Sequence, residues 1–149
     1  FLDMPKIRVL EVASFYFMFH LKPVGSRAHV QVCGTTPCML RGAEDLIGVC
    51  KARISKKEHN LSGDGFLSWE EVECLGGCVN APIVQIGSDY FEDLNKSSFE
   101  KLLEDISNNV SPTPGSRVGR FSSEPSKMTK KLIKKGVSKE NASLERFRG

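Results

Sequence analysis

Four cysteines stand in two pairs, in Val32-Cys33-Gly34-Thr35-Thr36-Pro37-Cys38 and in Glu73-Cys74-Leu75-Gly76-Gly77-Cys78-Val79-Asn80-Ala81-Pro82. Written as spacings, this is C-x4-C, then 35 residues, then C-x3-C. Each pair is set in Gly, Thr and Pro, residues that turn tightly and leave backbone N–H groups free to donate to sulfur. Four thiolates meeting at one point suit either tetrahedral zinc or an iron–sulfur cluster. Structural zinc sites favour C-x2-C knuckles, narrower than either spacing here. The plant-type ferredoxin pattern begins C-x4-C but continues with a C-x2-C that this chain lacks. Spacing alone therefore indicates a four-thiolate metal centre, with iron–sulfur modestly favoured over zinc.

Residues 60–71 can also be laid on a calcium loop, with Gly65 at the sixth position and Glu71 at the twelfth. Asn60 and Ser62 stand where carboxylates belong, and Gly76-Gly77 break the helix that should follow. A turn before a strand explains these residues more simply. The three histidines, His20, His29 and His59, are scattered in the sequence. Four thiolates make them unneeded as ligands, so each reads as a surface or packed side chain. The chain has no G-x-G-x-x-G signature and no P-loop.

The elements that must position the cysteines follow from periodicity. Residues 29–33 alternate as a strand and lead into the first pair. A helix over about 38–54 places Ala43, Leu46, Ile47, Cys50 and Ile54 on one face, which makes Cys50 a small core hydrophobe rather than a ligand. Residues 60–65 form a turn-rich loop, and residues 66–73 are partly extended. Residues 82–94 read as a hairpin around Gly87. A last helix starts at Ser97, where Ser97-Ser98-Phe99-Glu100 fits a capping box, and buries Phe99, Leu102, Leu103, Ile106 and Val110. Before all of these, residues 3–18 read as a helix with Asp3 as N-cap and Pro5 in its first turn. Its apolar residues nearly surround it. Two readings stand side by side: burial in its own domain, or packing on a missing N-terminal part or a partner.

The chain has 149 residues, 40% of them hydrophobic and 26% charged, in keeping with one soluble globular domain and a tail. Residues 1–110 carry 11 Lys and Arg against 15 Asp and Glu, a balance of −4, and residues 111–149 carry 10 against 3, a balance of +7, which sum to the overall +3. A nucleic-acid partner would rest on the tail alone, and none is expected. Residues 111–115, Ser-Pro-Thr-Pro-Gly, form a linker signal, residues 127–139 hold six lysines, and disorder is expected after about 125. Five cysteines exclude a complete disulfide set within one chain and suit a reducing compartment. The opening at Phe1 reads as a processed or truncated product, and no apolar run is long enough to insert in a membrane as a helix.

Both cysteine stretches closely resemble those of the thioredoxin-like [2Fe–2S] subunit of respiratory complex I, the NADH:ubiquinone oxidoreductase. Supporting stretches are Val12-Ala13-Ser14-Phe15-Tyr16, Leu21-Lys22-Pro23-Val24-Gly25, Tyr90-Phe91-Glu92-Asp93-Leu94 and Gly119-Arg120-Phe121-Ser122-Ser123-Glu124-Pro125. The resemblance covers about residues 1–125. It implies an α/β, thioredoxin-like [2Fe–2S] ferredoxin domain at 23–110, preceded by the end of a helical segment at 1–22 and followed by an extended, basic tail at 111–149. It implies that Cys33, Cys38, Cys74 and Cys78 ligate one [2Fe–2S] cluster. It further implies single-electron exchange with the flavin of an NADH-binding partner subunit. The chain would then be part of an NADH dehydrogenase, not a complete catalyst alone. Its place would be the peripheral arm of an inner-membrane complex, on the mitochondrial matrix side or the bacterial cytoplasmic face, among other peripheral-arm subunits. The alternatives are the equivalent subunit of a flavin-linked hydrogenase or formate dehydrogenase, or a zinc-stabilised interaction module.

Overall fold

A computed structural model describes residues 3–124. The expected disorder after about 125 lies outside these residues. Strand β1 (Ala28–Cys33) is the hub, because it pairs on both sides. On one side it runs parallel to β2 (Leu67–Val72), from Ala28 opposite Leu67 to Cys33 opposite Val72. On the other it runs antiparallel to β3 (Val84–Ile86), with Val32 opposite Val84. The hairpin continues into β4 (Asp89–Glu92), and a two-residue strand β5 (Gly115–Ser116) closes the order β2-β1-β3-β4-β5. The tight turn of the hairpin needs Gly87 at φ +62, a conformation that side-chain-bearing residues rarely adopt.

The period-two alternation of β1 and β2 sorts their residues. Val30, Val32, Leu67 and Trp69 are buried together with Leu46 and Cys50 of α3 (Ala43–Arg53) and Phe99 and Leu102 of α4 (Lys96–Ser107). The Trp69 indole N–H donates to the Ser55 carbonyl at 2.8 Å, so this large side chain is buried without an unpaired donor. His29, Gln31, Ser68 and Glu70 alternate with the core residues and are carried to the other face of the sheet.

The single helix expected over 38–54 is two helices. Short α2 (Thr36–Leu40) ends before Arg41, and Gly42 at φ +100 turns the chain before α3 begins. Within α3 and its C-cap the expected face is buried in full: Ala43, Leu46, Ile47, Cys50 and Ile54. Helix α4 starts one residue earlier than expected and with a different cap. Asn95 Oδ1 accepts from Ser98 N–H while Ser98 Oγ accepts from Asn95 N–H, so the capping box is Asn95 with Ser98, not Ser97 with Glu100. Val110, expected on its buried face, lies beyond the helix and is exposed.

The first helix, α1, is Lys6–Phe15 rather than 3–18. Pro5 is its N-cap, and Asp3 sits outside it at φ +47 without a capping role. No residue of α1 is buried, which removes the reading that it packs within this domain. Phe15 and, just after the helix, Phe17 are 79% and 85% exposed. In the loop at 60–65, Asp64 accepts from the Ser62 hydroxyl at 2.5 Å and from Phe66 N–H at 2.9 Å. Its carboxylate therefore serves the turn before β2. Among the described residues, no helix is long and apolar enough to cross a membrane.

Candidate metal centre

Strand β1 delivers Cys33 to its C-terminal end, and α2 sets Cys38 one helical turn later. Both are buried, with Cys33 1% and Cys38 0% exposed. They pack with Ala43, Ala81 and Ile83 in a small second apolar cluster apart from the main core. Cys74 and Cys78 lie in the loop after β2, Cys78 opening a 3₁₀ turn (Cys78–Asn80), and both are exposed. Their sulfurs are 3.5 Å apart. The centre thus has a buried pair and an exposed pair.

Thr35 joins the two. Its hydroxyl lies 3.2 Å from Cys33 Sγ and also interacts with Cys74. Burial opposes ionisation of Cys33, but Thr35, through side chain and backbone, the Leu75 backbone N–H and the Cys38 thiol together hold it below the ordinary thiol range. Burial, with the adjoining Cys33, pushes Cys38 up to about 12. In the exposed pair the Gly76 N–H, 3.4 Å from Cys74 Sγ, and then Cys78 lower Cys74, while the same partnership raises Cys78. One sulfur of each pair is therefore favoured as thiolate, with its neighbour as the donor. Metal would replace those shared protons.

The pairing of the sulfurs bears on which metal centre fits them. Four ligands on one zinc at bonds of about 2.3 Å would bring all the sulfurs within about 4 Å of one another. Among the described residues, no three cysteine sulfurs gather within 4.8 Å. Two pairs of thiols suit two irons, each taking two protein sulfurs, so the residues present fit a [2Fe–2S] cluster.

Of the backbone N–H groups in the two cysteine loops, those of Thr35 and Gly76 face sulfur. Gly34 N–H is used by the Val72 carbonyl at 2.9 Å, and Leu75 and Ile83 supply donors to Cys33 and Cys38 that the sequence does not suggest. Cys50 stands apart in the core, where burial pushes its thiol up to about 12.

The exposed loop is braced from the C-terminal side. The Arg120 guanidinium donates to both oxygens of Asp93, through Nε at 2.9 Å and through Nη2, and also reaches the Val79 carbonyl at 3.0 Å. Asn80 Nδ2 donates to Glu92 Oε2 at 2.5 Å and to the Ser122 carbonyl at 2.9 Å. Residues 79 and 80 directly follow Cys78. The short β5 and the clasp after it carry no periodic signal, because two residues are too few to show one.

A family model described as thioredoxin-like [2Fe–2S] ferredoxin matches residues 1–107. The chain is 55% identical over 126 residues to an NADH-quinone oxidoreductase subunit of Rhizobium meliloti, covering 83% of this chain and 46% of that protein. It is 50% identical over 109 residues to the corresponding NADH-quinone oxidoreductase subunit of Rickettsia typhi, covering 73% and 64%. It therefore spans about half to two thirds of the length of these relatives. Among solved structures, an NAD+-reducing [NiFe]-hydrogenase in the H2-reduced state aligns with a TM-score of 0.64 at 20% identity, over 73% of this chain and 18% of that one, a likeness of fold. The match over residues 1–107, with relatives at 50–55% identity, shows the family: this chain belongs to the thioredoxin-like [2Fe–2S] ferredoxin family, whose cofactor is a [2Fe–2S] cluster.

Proposed function

We propose that the chain is the electron-transfer subunit of an NADH-quinone oxidoreductase, with Cys33, Cys38, Cys74 and Cys78 as the ligands of its cluster. The observation that carries this is the division of four thiols into a buried and an exposed pair at one end of β1. When bound, a [2Fe–2S] cluster supplies one-electron transfer. The chain's own residues hold it and set its surroundings. Cys33 and Cys38 anchor one side in a dry apolar cluster, Thr35 and Gly76 donate to sulfur, and Glu71 lies against Gly34 beside the first pair. A carboxylate there disfavours added negative charge and so favours a low potential, whereas Glu70 is turned to the histidines on the opposite face.

The electron partner in this reading is a flavin held by an NADH-binding subunit. The exposed Cys74–Cys78 side is the natural approach, since transfer needs proximity more than contact. The exposed apolar residues of α1 supply a docking surface for a neighbouring subunit. The complex would place the chain in a peripheral arm, on the matrix or cytoplasmic side of the membrane. The Rhizobium and Rickettsia likenesses favour this host complex over a hydrogenase or formate dehydrogenase, because their identity is 50–55% against 20% for the hydrogenase.

Absorbance and electron paramagnetic resonance of anaerobically purified protein, before and after dithionite, test the reading. Visible bands that bleach, with an S = 1/2 signal on reduction, are expected. Ser in place of any one of the four cysteines should remove or shift both signals, and Cys50→Ser should leave them unchanged. A colourless chain that holds one zinc and resists iron–sulfide reconstitution would sink the proposal in favour of an interaction module.

A further inference from the structure

The three histidines that are scattered in the sequence converge on one carboxylate. Glu70, 8% exposed, lies with Nε2 of His29 at 3.1 Å and Nδ1 of His59 at 3.3 Å, and accepts from Gln31 Nε2 at 2.8 Å. The His20 ring stacks edge-on against His29 with centroids 4.6 Å apart. One ligand atom from each of His20, His29 and Glu70 lies within 4.8 Å of the others. They line a cleft of about 320 Å³ between the segment after α1 and the polar face of the sheet.

The buried imidazole carries an unsolved hydrogen-bond problem. His29 Nδ1 is 2.7 Å from Ser68 Oγ, which also accepts from Gly25 N–H at 2.8 Å. The Ser68 hydroxyl, already accepting from Gly25, is free to donate to Nδ1, and the other ring nitrogen, Nε2, faces Glu70. Nε2 is buried, 3.1 Å from a Glu70 oxygen, without a well-aligned hydrogen bond. A cation between this nitrogen and the carboxylate would satisfy both. Burial keeps His29 below its ordinary value, although Glu70 pulls the other way, which favours the neutral imidazole. Burial works against ionisation of Glu70 too, but the Gln31 amide and the nearby His29 outweigh it and keep the carboxylate charged. A neutral imidazole oriented by a hydroxyl, beside an ionised carboxylate oriented by an amide, is the outer-shell pattern of a metal site.

We propose that His20, His29 and Glu70 form a second metal site, for a divalent cation of the zinc class, which fastens the segment following α1 to the sheet. Nitrogen and carboxylate donors at bonds of about 2.0–2.2 Å lie roughly 3.3–3.6 Å apart around a tetrahedral ion. Closing from 4.8 Å thus needs little more than ~1 Å of travel, which His20 has because its segment is exposed. His59 lies against the second Glu70 oxygen, outside this group of three. The site is separate from the cysteines: His29 and Cys33 are four residues apart on one strand, about 13 Å.

The test uses the full chain with its iron–sulfur cluster loaded, so that the cysteines are not available to zinc. Calorimetric titration with zinc chloride should give one ion per chain while the visible bands stay constant. His20→Ala, a change in an exposed segment that the fold does not depend on, should weaken binding at least ten-fold, as should Glu70→Gln. Zinc should also slow chymotrypsin cleavage at Phe15–Phe19, and a chelator should restore it. No uptake would overturn the proposal, as would equal uptake by the His20→Ala chain or uptake that bleaches the cluster.

Discussion

At the level of single residues, five thiols occupy three environments, and chemistry follows environment rather than residue type. Cys50 is fully buried in α3 and its thiol is raised to about 12, so at pH 8 it is a neutral, shielded hydrophobe. Iodoacetamide at that pH should leave Cys50 unmodified in the folded chain and label it once denaturant is added, as peptide mass spectrometry can read. Replacing it with Ser buries a hydroxyl without a designed partner and should cost about 1–3 kcal/mol in chemical denaturation. Gly25 is a second residue fixed by its surroundings. A Cβ there would collide with the backbone at Ala28 and at Phe66 and Leu67, which cannot swing aside as a side chain can. Gly25→Ala should therefore destabilise by about 3 kcal/mol, the upper range for an overpacked site. The pairing of four cysteines and the burial of Cys50 are legible in the sequence because spacing and helical phase are local properties. The gathering of His20, His29 and His59 is not, because it depends on β1 and β2 lying side by side in one register.

At the level of elements, the face of α3 is legible down to each buried residue, since five apolar positions repeat at helical spacing. Its separation from α2 is less so: Gly42 sits between two helical patterns in phase, and only its φ of +100 shows that the chain turns there. The cap of α4 gives a sharper contrast. Ser97-x-x-Glu100 fits the consensus, yet Asn95 with Ser98 is the pair that forms, because two overlapping candidates are decided by where the chain leaves β4. Asn95→Ala should lower stability by about 1 kcal/mol, while Ser97→Ala should lie within about 0.5 kcal/mol of zero. A larger loss from Ser97→Ala than from Asn95→Ala in urea titrations would return the cap to Ser97. The apolar sequence of α1 allows two fates, and its exposure is at odds with burial in this domain. Removing residues 1–19 should abolish most hydrophobic-dye binding and leave the melting midpoint of the cluster-loaded domain nearly unchanged.

Across the whole molecule, the sheet places two unlike surfaces back to back: an apolar core under α3 and α4, and a polar face carrying Glu70 and the histidines. The sulfur centre lies at the end of β1, where neither surface reaches, and it is held by loops. That makes the Arg120 clasp a structural member of the site, although it is distant in sequence from all four cysteines. The Arg120–Asp93 pair is largely shielded, with side chains 11% and 7% exposed. Arg120→Ala should cost on the order of 2 kcal/mol, between the values for exposed and buried pairs. Loss of the visible bands to a chelator should also become several-fold faster. The clasp imposes an order in time as well. During synthesis Cys78 leaves the ribosome 42 residues before Arg120. For that interval the four sulfurs exist without the brace on the loop that holds two of them. A nascent chain halted at residue 110 should accept iron and sulfide poorly and lose them quickly, so that cofactor insertion waits for a part of the chain that binds none of it.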